Sequence, residues 1–249
     1  MDASDYNREI YCQEEKLGDT YYKLFNGRSK KIIELLNGFE GRLLDVGCGD
    51  ATITLQLKQA LGCEIEAVEL IEENIERAAE KGFSVKKVDL NREKLPFESN
   101  SFDCVFSGEV LEHVIDSDGL LLDMKRVLKK DGVLILTVPN VANWYNRLIM
   151  LFGYLPHYIE SGSRKSYGTP FGLINGHVKA FTKRSLAEMI KANGFKIEFL
   201  SGTGYTPATI EKYDKGILKI GAPLFFFAER ILSKKGGFAT NLIVKARKI

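Results

Sequence analysis

The sequence contains no long apolar run, no regular cysteine spacing and no excess of charge of either sign. Its four cysteines show no C-x-x-C pattern, so we expect neither disulfides nor a bound metal. The formal net charge of +2 gives no broad basic field for holding a phosphate backbone, which argues against nucleic acid as a partner. No basic segment followed by an apolar core marks the N-terminus for secretion, and we therefore expect a cytoplasmic protein.

A loop with two glycines follows the first apolar run of the chain. Residues 43–46 predict a strand, Gly47-Cys48-Gly49 predicts a tight turn, and apolar residues then recur at helical spacing. Glycines one residue apart remove the Cβ atoms that would keep a ligand away from the backbone, and amides at a helix N-terminus favour polar or anionic groups. The order of strand, turn and helix therefore predicts a binding loop for a polar ligand.

An acidic residue, Glu69, ends the second apolar run, twenty residues after Gly49. A carboxylate at this place can accept hydrogen bonds from both hydroxyls of a ribose, which indicates a cofactor that contains a nucleoside. A dinucleotide-binding loop has a third glycine where Thr52 stands in this chain. Thr52 therefore argues against NAD.

Three segments of the chain carry a resemblance to a known family. Asp45-Val46-Gly47-Cys48-Gly49 has the pattern acid-x-Gly-x-Gly, residues 95–114 contain "LPF", "SFDCVFS" and "VLEHV", and residues 176–195 run from "GHVKAFT" to "LAEMIKANGF". Over roughly residues 20–200 the chain resembles the class I S-adenosylmethionine-dependent methyltransferases, in their ubiquinone-biosynthesis-like, small-molecule branch. The resemblance implies S-adenosylmethionine as cofactor. It also implies a Rossmann-like α/β fold with a doubly wound, mostly parallel seven-stranded sheet and an antiparallel last strand.

The resemblance also implies which residues contact the cofactor. In the family an acid and an apolar residue after the third strand bind adenine, a role that falls to Asp89 and Leu90, although Asp89 could instead cap a turn. Asp45 could steady the loop or contact the methionine ammonium. Tyr21 could cover the methionine end or pack its helix on the sheet. The predicted cofactor-binding residues are Asp45, Gly47, Cys48, Gly49, Glu69, Leu70, Asp89, Leu90, Ser107, Gly108, Glu109 and Tyr21.

Each of the three histidines is a candidate for a catalytic base, and His177 and then His113 are favoured over His157 in the cap. Methyl transfer from a sulfonium needs alignment, exclusion of water and, for a hydroxyl acceptor, a base. His177 precedes a late helix, where the family has a histidine beside the substrate pocket, and His113 follows the fourth strand. Each could instead satisfy a backbone carbonyl or contact the cofactor. The methylated atom, oxygen, nitrogen or carbon, stays open.

We expect one methyltransferase domain over the whole chain. Residues 139–182 carry many aromatic and aliphatic side chains among few charges, which predicts a cap over a small apolar or amphipathic acceptor. The apolar stretch 217–232 is too interrupted to span a bilayer, but it could touch a membrane surface or form a dimer helix, so monomer and homodimer stay open. The predicted parts are an arm and lid helix (1–40), a cofactor-binding core (41–138), the cap (139–182) and a C-terminal sheet half with a helical insertion (183–249).

Two other functions remain as alternatives to a small-molecule methyltransferase. A nicotinamide-dependent oxidoreductase would need the third glycine that Thr52 replaces. A protein that binds S-adenosylmethionine without catalysis, for regulation or assembly, would keep the cofactor residues but would have a blocked acceptor side.

Overall fold

The computed structural model describes residues 18–170, 175–203, 227–229, 231–233 and 236–249, with side chains from residue 27 onwards. The strands are β1 (Arg42–Val46), β2 (Glu64–Glu69), β3 (Val85–Lys87), β4 (Phe102–Gly108), β5 (Leu128–Pro139), β6 (Phe195–Thr203) and β7 (Asn241–Lys248). The helices are α1 (Gly18–Leu35), α2 (Thr52–Leu61), α3 (Glu72–Glu80), α4 (Ser117–Val127), α5 (Trp144–Leu151) and α6 (Lys183–Ala192), with a short 3-10 helix at Leu111–His113.

The seven strands form one sheet in the order β3-β2-β1-β4-β5-β7-β6. The neighbours among β1 to β5 pair in parallel, and β7 runs antiparallel to both β5 and β6. This arrangement confirms the predicted doubly wound, mostly parallel α/β sheet with an antiparallel last strand. The direction of winding reverses between β1 and β4, and ligands bind at such a switch point, beyond the carboxyl ends of the strands.

Successive residues of the central strands face opposite sides of the sheet, which produces an apolar core on each face. On one side Leu44 and Val105 pack in a cluster with residues of α4 and α6. On the other side Leu43, Cys104 and Phe106 pack in a cluster with residues of α1 and α2. Because helices cover both faces, β1 and β4 are apolar along most of their length.

The strand β5 is longer than the sequence pattern predicts. The apolar run predicts a strand over 133–138 after a turn at Asp131-Gly132, whereas β5 begins at Leu128. Its pairing with β4 jumps from Phe102↔Leu128 to Cys104↔Val133, so the residues between bulge out of the ladder. Asp131 has a φ of 60°, and the predicted turn therefore lies inside the strand.

Thr182 predicts the N-cap of a helix and Asn193-Gly194 predicts its end, and helix α6 begins and ends at these residues. The Thr182 hydroxyl accepts a hydrogen bond from the Ser185 amide at 3.1 Å, and the Ser185 hydroxyl accepts one from the Thr182 amide at 2.9 Å, which is a capping box. At the other end Asn193 is the C-cap, and Gly194 follows with a φ of 79°. These local contacts confirm the predicted caps and fix the helix beside β6.

Some sequence predictions fall outside the part that the structure describes. The arm before residue 18 is one, and most of the stretch 217–232 is another. Tyr21 belongs to α1, but its side chain is also outside the described part. Among the described residues no helix combines the length and the apolar character that crossing a membrane requires.

Candidate active site

The glycine loop connects β1 to α2 at the switch point of the sheet. Gly47 and Gly49 have φ values of 75° and 55°, which other residues adopt at a cost. A Cβ atom on Gly47 would lie 2.5 Å from Cγ2 of Val110, whereas one on Gly49 would meet no described atom within 4 Å. Gly47 is therefore required for packing against the segment after β4, and Gly49 leaves open space above the loop.

The loop is fixed to its neighbours by backbone and side-chain hydrogen bonds. The amides of Gly47 and Cys48 both donate to the carbonyl of Val68, at 2.9 and 3.1 Å. Farther along, the Lys81 ammonium donates to the Asp50 carbonyl at 2.6 Å and to the Thr52 hydroxyl at 3.0 Å. Burial raises the pKa of the Cys48 thiol, so this side chain stays protonated and acts as a small apolar group.

Asp45 lies beneath the loop with 1% of its surface exposed. The Thr54 hydroxyl donates to its Oδ2 at 2.7 Å, and Oδ1 has no hydrogen-bond partner among the described residues. Burial raises the pKa of Asp45 to about 7, the Thr54 hydrogen bond lowers it, and nearby Glu69 raises it further. A buried carboxylate oxygen without a partner suits a cationic ligand group, which fits the ammonium of S-adenosylmethionine.

Glu69, the predicted ribose contact, joins the glycine loop to the turn after β2. Its Oε2 accepts from the Gly49 amide at 2.9 Å, and its Oε1 accepts from the amides of Leu70 and Ile71 at 2.9 and 3.0 Å. Burial raises the pKa of Glu69, and the hydrogen bonds to these amides and to Asn74 oppose that rise. A carboxylate offers about four acceptor positions, so ribose hydroxyls would have to share or replace these bonds.

Asp89 and Leu90, the predicted adenine contacts, follow β3 at the same edge of the sheet. The Asp89 carboxylate accepts from the Asn91 amide at 3.0 Å and lies 3.5 Å from Nε of Arg92. The hydrogen bond from the Asn91 amide is the one that a turn-capping aspartate accepts. Asp89 therefore caps this turn, as the alternative interpretation expects, and its contact with adenine stays a prediction. Leu90 packs on the edge of the apolar core.

The residues at the end of β4 are held in place by hydrogen bonds and close packing. The Ser107 hydroxyl donates to the Val46 carbonyl at 3.1 Å, which ties β4 to β1. A Cβ on Gly108 would lie 2.8 Å from Cζ of Phe106, so the chain leaves no room for a side chain there. Glu109 has a φ of 58°, and its amide donates to the Thr137 carbonyl at 2.9 Å.

Glu109 forms an ion pair with Arg28, a residue of α1 that sequence analysis did not identify. Nη1 of Arg28 lies 2.9 Å from Oε1 of Glu109, and the two side chains are 3% and 15% exposed. The pair connects the helix predicted as a lid to the segment after β4. The sequence around Arg28 gives no indication of this ion pair, because its partner Glu109 is far away in sequence.

The structure brings the two favoured histidines together. The rings of His113 and His177 have centroids 4.8 Å apart and meet edge to face. His113 Nδ1 lies 3.1 Å from the Gly176 carbonyl, and His177 Nδ1 lies 3.4 Å from the Tyr158 carbonyl. The segment before α6 is thereby joined to the segment after β4, as a common site would require.

Burial makes both histidines neutral at pH 7. It lowers the pKa of His113 to about 3, and neighbouring His177 lowers it further. Burial also lowers the pKa of His177, which Glu109 and Glu160 raise in part. A neutral imidazole has one nitrogen that can accept a proton, which is the form a base needs. The third histidine, His157, also has a lowered pKa, about 4, through burial.

A buried carboxyl group, Glu112, completes this cluster. Its carbonyl accepts from the amides of Val178 and Lys179 at 2.8 and 3.0 Å, while neither carboxyl oxygen has a hydrogen-bond partner among the described residues. Burial and the nearby Glu109 raise its pKa well above the ordinary value, and Arg28 opposes them.

One ligand atom from each of Glu112, His113 and His177 lies within 4.8 Å of the others, so these three residues could hold a divalent cation. Sequence analysis expected no metal on the spacing of the cysteines alone, and it did not consider this cluster. Sequence analysis did not select Glu112, although an acid next to a histidine at the end of a strand was available as an indication.

Comparisons with known proteins agree with this geometry. Residues 17–199 match a protein family described as "Methyltransferase domain". A demethylmenaquinone methyltransferase of Listeria welshimeri is 30% identical over 204 residues, which cover 76% of this chain and 85% of that protein. An uncharacterized protein of Methanocaldococcus jannaschii is 26% identical over 213 residues, covering 80% of this chain and 81% of that protein.

A solved structure has the same fold over nearly its whole length. It is a SAM-dependent methyltransferase of Thermotoga maritima, described as a possible histamine N-methyltransferase, with a TM-score of 0.66 and 18% identity. The alignment covers 98% of this chain and 99% of that one. With the match to the family over residues 17–199, these findings show that the chain belongs to the class I S-adenosylmethionine-dependent methyltransferases, in the branch that resembles the ubiquinone-biosynthesis enzymes.

Proposed function

We propose that this chain methylates a small, apolar or amphipathic acceptor of the quinone type, with S-adenosylmethionine as donor. The family and the Thermotoga structure bear out the predicted donor. The observation that carries the acceptor side is the pair of neutral histidines near the switch point, of which His113 is buried and His177 is half-buried. The 30% identity to a demethylmenaquinone methyltransferase supports the acceptor class.

On the donor side, four of the predicted residues would hold the three parts of the ligand. S-adenosylmethionine supplies a methyl group that is already activated, so the chain chiefly has to bind and orient it. We assign the methionine ammonium to the unpartnered oxygen of Asp45, the ribose to Glu69 and the adenine to Asp89 and Leu90. The open space above Gly49 leaves room for the ligand to approach the backbone.

On the acceptor side we assign the role of base to His177, with His113 as the residue that positions its ring. An acceptor hydroxyl would transfer its proton to the free-base nitrogen of His177, and the oxygen or the conjugated carbon would become the nucleophile. The carboxylates of Glu109 and Glu160, which raise the pKa of His177, would stabilise the imidazolium that forms. The backbone of Tyr158, in the predicted cap, contacts the same ring.

Calorimetric titration tests the donor. The purified chain should bind S-adenosylmethionine and S-adenosylhomocysteine, and Glu69→Ala should lose this affinity because it removes both the ribose contact and the support of the loop. Glu73→Ala, an exposed acid on α3, is the matched control and should bind as the unchanged chain does. Binding of NADH without binding of either sulfur ligand would refute the proposal in favour of an oxidoreductase.

Transfer of a labelled methyl group tests the acceptor. Reduced demethylmenaquinone should be methylated, and histamine should not. His177→Gln should lower kcat by about 10²- to 10⁴-fold with little change in donor affinity, because it removes a base and not a donor contact. Donor binding without transfer to any quinol would contradict the proposal and favour a protein that binds S-adenosylmethionine without catalysis.

A further inference from the structure

A groove lined with basic side chains lies between α5, α6 and the end of β6, apart from the histidine cluster. Its volume is about 620 Å³. Four cationic side chains and one acidic one line it: Arg147, Lys183, Arg184 and Lys191, with Glu188. Since the whole chain has a net charge of only +2, this groove, called the basic groove below, is a local concentration of positive charge.

One cation of the basic groove, Arg147, is held in place by the surrounding chain. Arg147 donates from Nε to the Ala142 carbonyl at 2.6 Å and from Nη2 to the Gly237 carbonyl at 3.4 Å. Its guanidinium also lies over the ring of Phe238, 4.6 Å from the centroid. A guanidinium that is fixed in this way loses little conformational freedom when it binds an anion, which favours binding.

The same face of α5 carries exposed apolar side chains. Met150 and Leu151 lie three and four residues after Arg147, so they share its face of the helix, and they are 55% and 80% exposed. Phe152 and Tyr154 continue the surface at 74% and 50% exposure. We name Met150, Leu151, Phe152 and Tyr154 the apolar tip. Apolar and aromatic groups beside a basic surface are typical of helices that lie on membranes.

We propose that the basic groove and the apolar tip together dock on an anionic lipid bilayer. The groove would receive lipid phosphates, and the tip would enter the headgroup region. A free phosphate ester would fill the groove but would leave the apolar tip without a partner. A second copy of the chain, related by a twofold axis through this surface, would bring the cations of both grooves close together, which costs energy.

Vesicle sedimentation of the whole chain tests this proposal. The chain should bind vesicles of phosphatidylcholine with phosphatidylglycerol but not vesicles of phosphatidylcholine alone, and binding should weaken as salt is added. Arg147→Gln and Lys183→Gln should each lower the partition coefficient about fivefold. The double variant Leu151→Ser, Phe152→Ser should also lower it, because the tip no longer enters the bilayer.

Matched controls lie elsewhere on the surface. Lys130→Gln, at an exposed cation in β5, and Leu122→Ser, at a leucine of α4 that is 54% exposed, should leave vesicle binding unchanged. Binding of S-adenosylhomocysteine shows that each variant is folded. If a groove or tip variant fails that check, the dependence of the unchanged chain on phosphatidylglycerol and salt decides the matter.

Three results would overturn the proposal. They are equal binding to both kinds of vesicle, anionic-vesicle binding that the groove variants leave unchanged, and a dimer in light scattering that Leu151→Ser dissociates. The last would show that a second copy covers the tip. Vesicle binding needs neither donor nor acceptor, so its failure would leave the proposed methyl transfer intact.

Discussion

At the scale of single residues, Gly47 tolerates a side chain least in the glycine loop. Gly47→Ala should lower the affinity for S-adenosylhomocysteine about tenfold or more, because the new Cβ would strike Val110 in addition to the strain of a positive φ. Gly49→Ala carries a similar strain without that contact, but its Cβ would enter the space proposed for the ligand, so it should lower the affinity as well. Calorimetry measures both.

The double variant Gly47→Ala, Val110→Ala separates the clash from the strain. It should recover part of the lost affinity, since the shorter side chain at position 110 removes the Cγ2 atom that the new methyl group at position 47 would strike. No recovery in the double variant would show that backbone strain at position 47, and not the contact with Val110, causes the loss.

Asp45 should make donor binding depend on pH near neutrality. Burial raises its pKa to about 7, and a bound ammonium favours the ionised carboxylate, so the affinity should rise by up to about tenfold per pH unit below pH 7 and level off above it. Titration of S-adenosylhomocysteine between pH 5 and 8 measures this. Asp45→Asn should flatten the profile, and an unchanged profile would show that another group titrates.

The Asp45 carboxyl should affect stability in the opposite direction: the free energy of unfolding should fall as pH rises, whereas donor affinity should rise. Its folded pKa lies above the unfolded value of 3.8, so the folded chain holds the proton more firmly between these two values. The free energy of unfolding from this group therefore falls as pH rises from about 4 to 7 and then stays constant. Urea unfolding of the unchanged chain and of Asp45→Asn should separate this contribution from those of the other carboxyls.

Local sequence selected the proposed donor residues but not the groups around them. Asp45, the loop glycines and Glu69 lie at or just after the ends of β1 and β2, and short motifs with fixed spacing are sufficient to propose them. Glu112 and Arg28 acquire their environments from segments far away in sequence, Val178 and Glu109 respectively. No local pattern records such contacts, so only the folded chain reveals them.

At the scale of elements, the Arg28 to Glu109 ion pair connects α1 to the end of β4. Arg28→Met should lower the free energy of unfolding by about 3 kcal/mol, because it leaves the half-buried Glu109 without its cation. Urea unfolding measures this loss. Arg28→Met with Glu109→Gln should recover part of it, whereas Lys31→Met, which breaks an exposed pair with Glu34, should cost about 1 kcal/mol or less.

Apolar periodicity predicted the helices and strands, and β5 begins earlier than its pattern predicts. Apolar runs predicted where strands occur along the chain, because burial on one or both faces leaves a clear pattern. The arrangement of these strands in one sheet was implied by the resemblance to the methyltransferase family. The pattern of β5 was interrupted by Asp131 and Gly132, which indicates a turn. Because residues on both sides of that turn pair with β4, the turn lies within a single strand. This pairing depends on the neighbouring strand, so the sequence of β5 alone does not predict it.

At the scale of the whole molecule, donor binding should stabilise one cooperative unit. The glycine loop contacts β2 through Glu69 and the segment after β4 through Val110, so the ligand site is part of the central sheet. S-adenosylhomocysteine at about 100 times its Kd should raise stability by about 2.7 kcal/mol, and Tm by about 5 to 10 °C. Scanning calorimetry should show a single unfolding transition, and its Tm should rise when the ligand is bound. Two transitions, of which only one shifts, would contradict the single-domain prediction.

The position of β7 has a consequence for how the chain is made. It is the last strand in chain order, yet it pairs with β5 on one side and β6 on the other. During synthesis, β1 to β5 leave the ribosome well before their sheet can be completed, and β5 keeps an unpaired edge until β7 emerges. Such late, long-range pairing slows folding and prolongs the exposure of an edge that can aggregate. We therefore expect the edge of β5 to be open to wrong pairing with other chains until β7 has been translated.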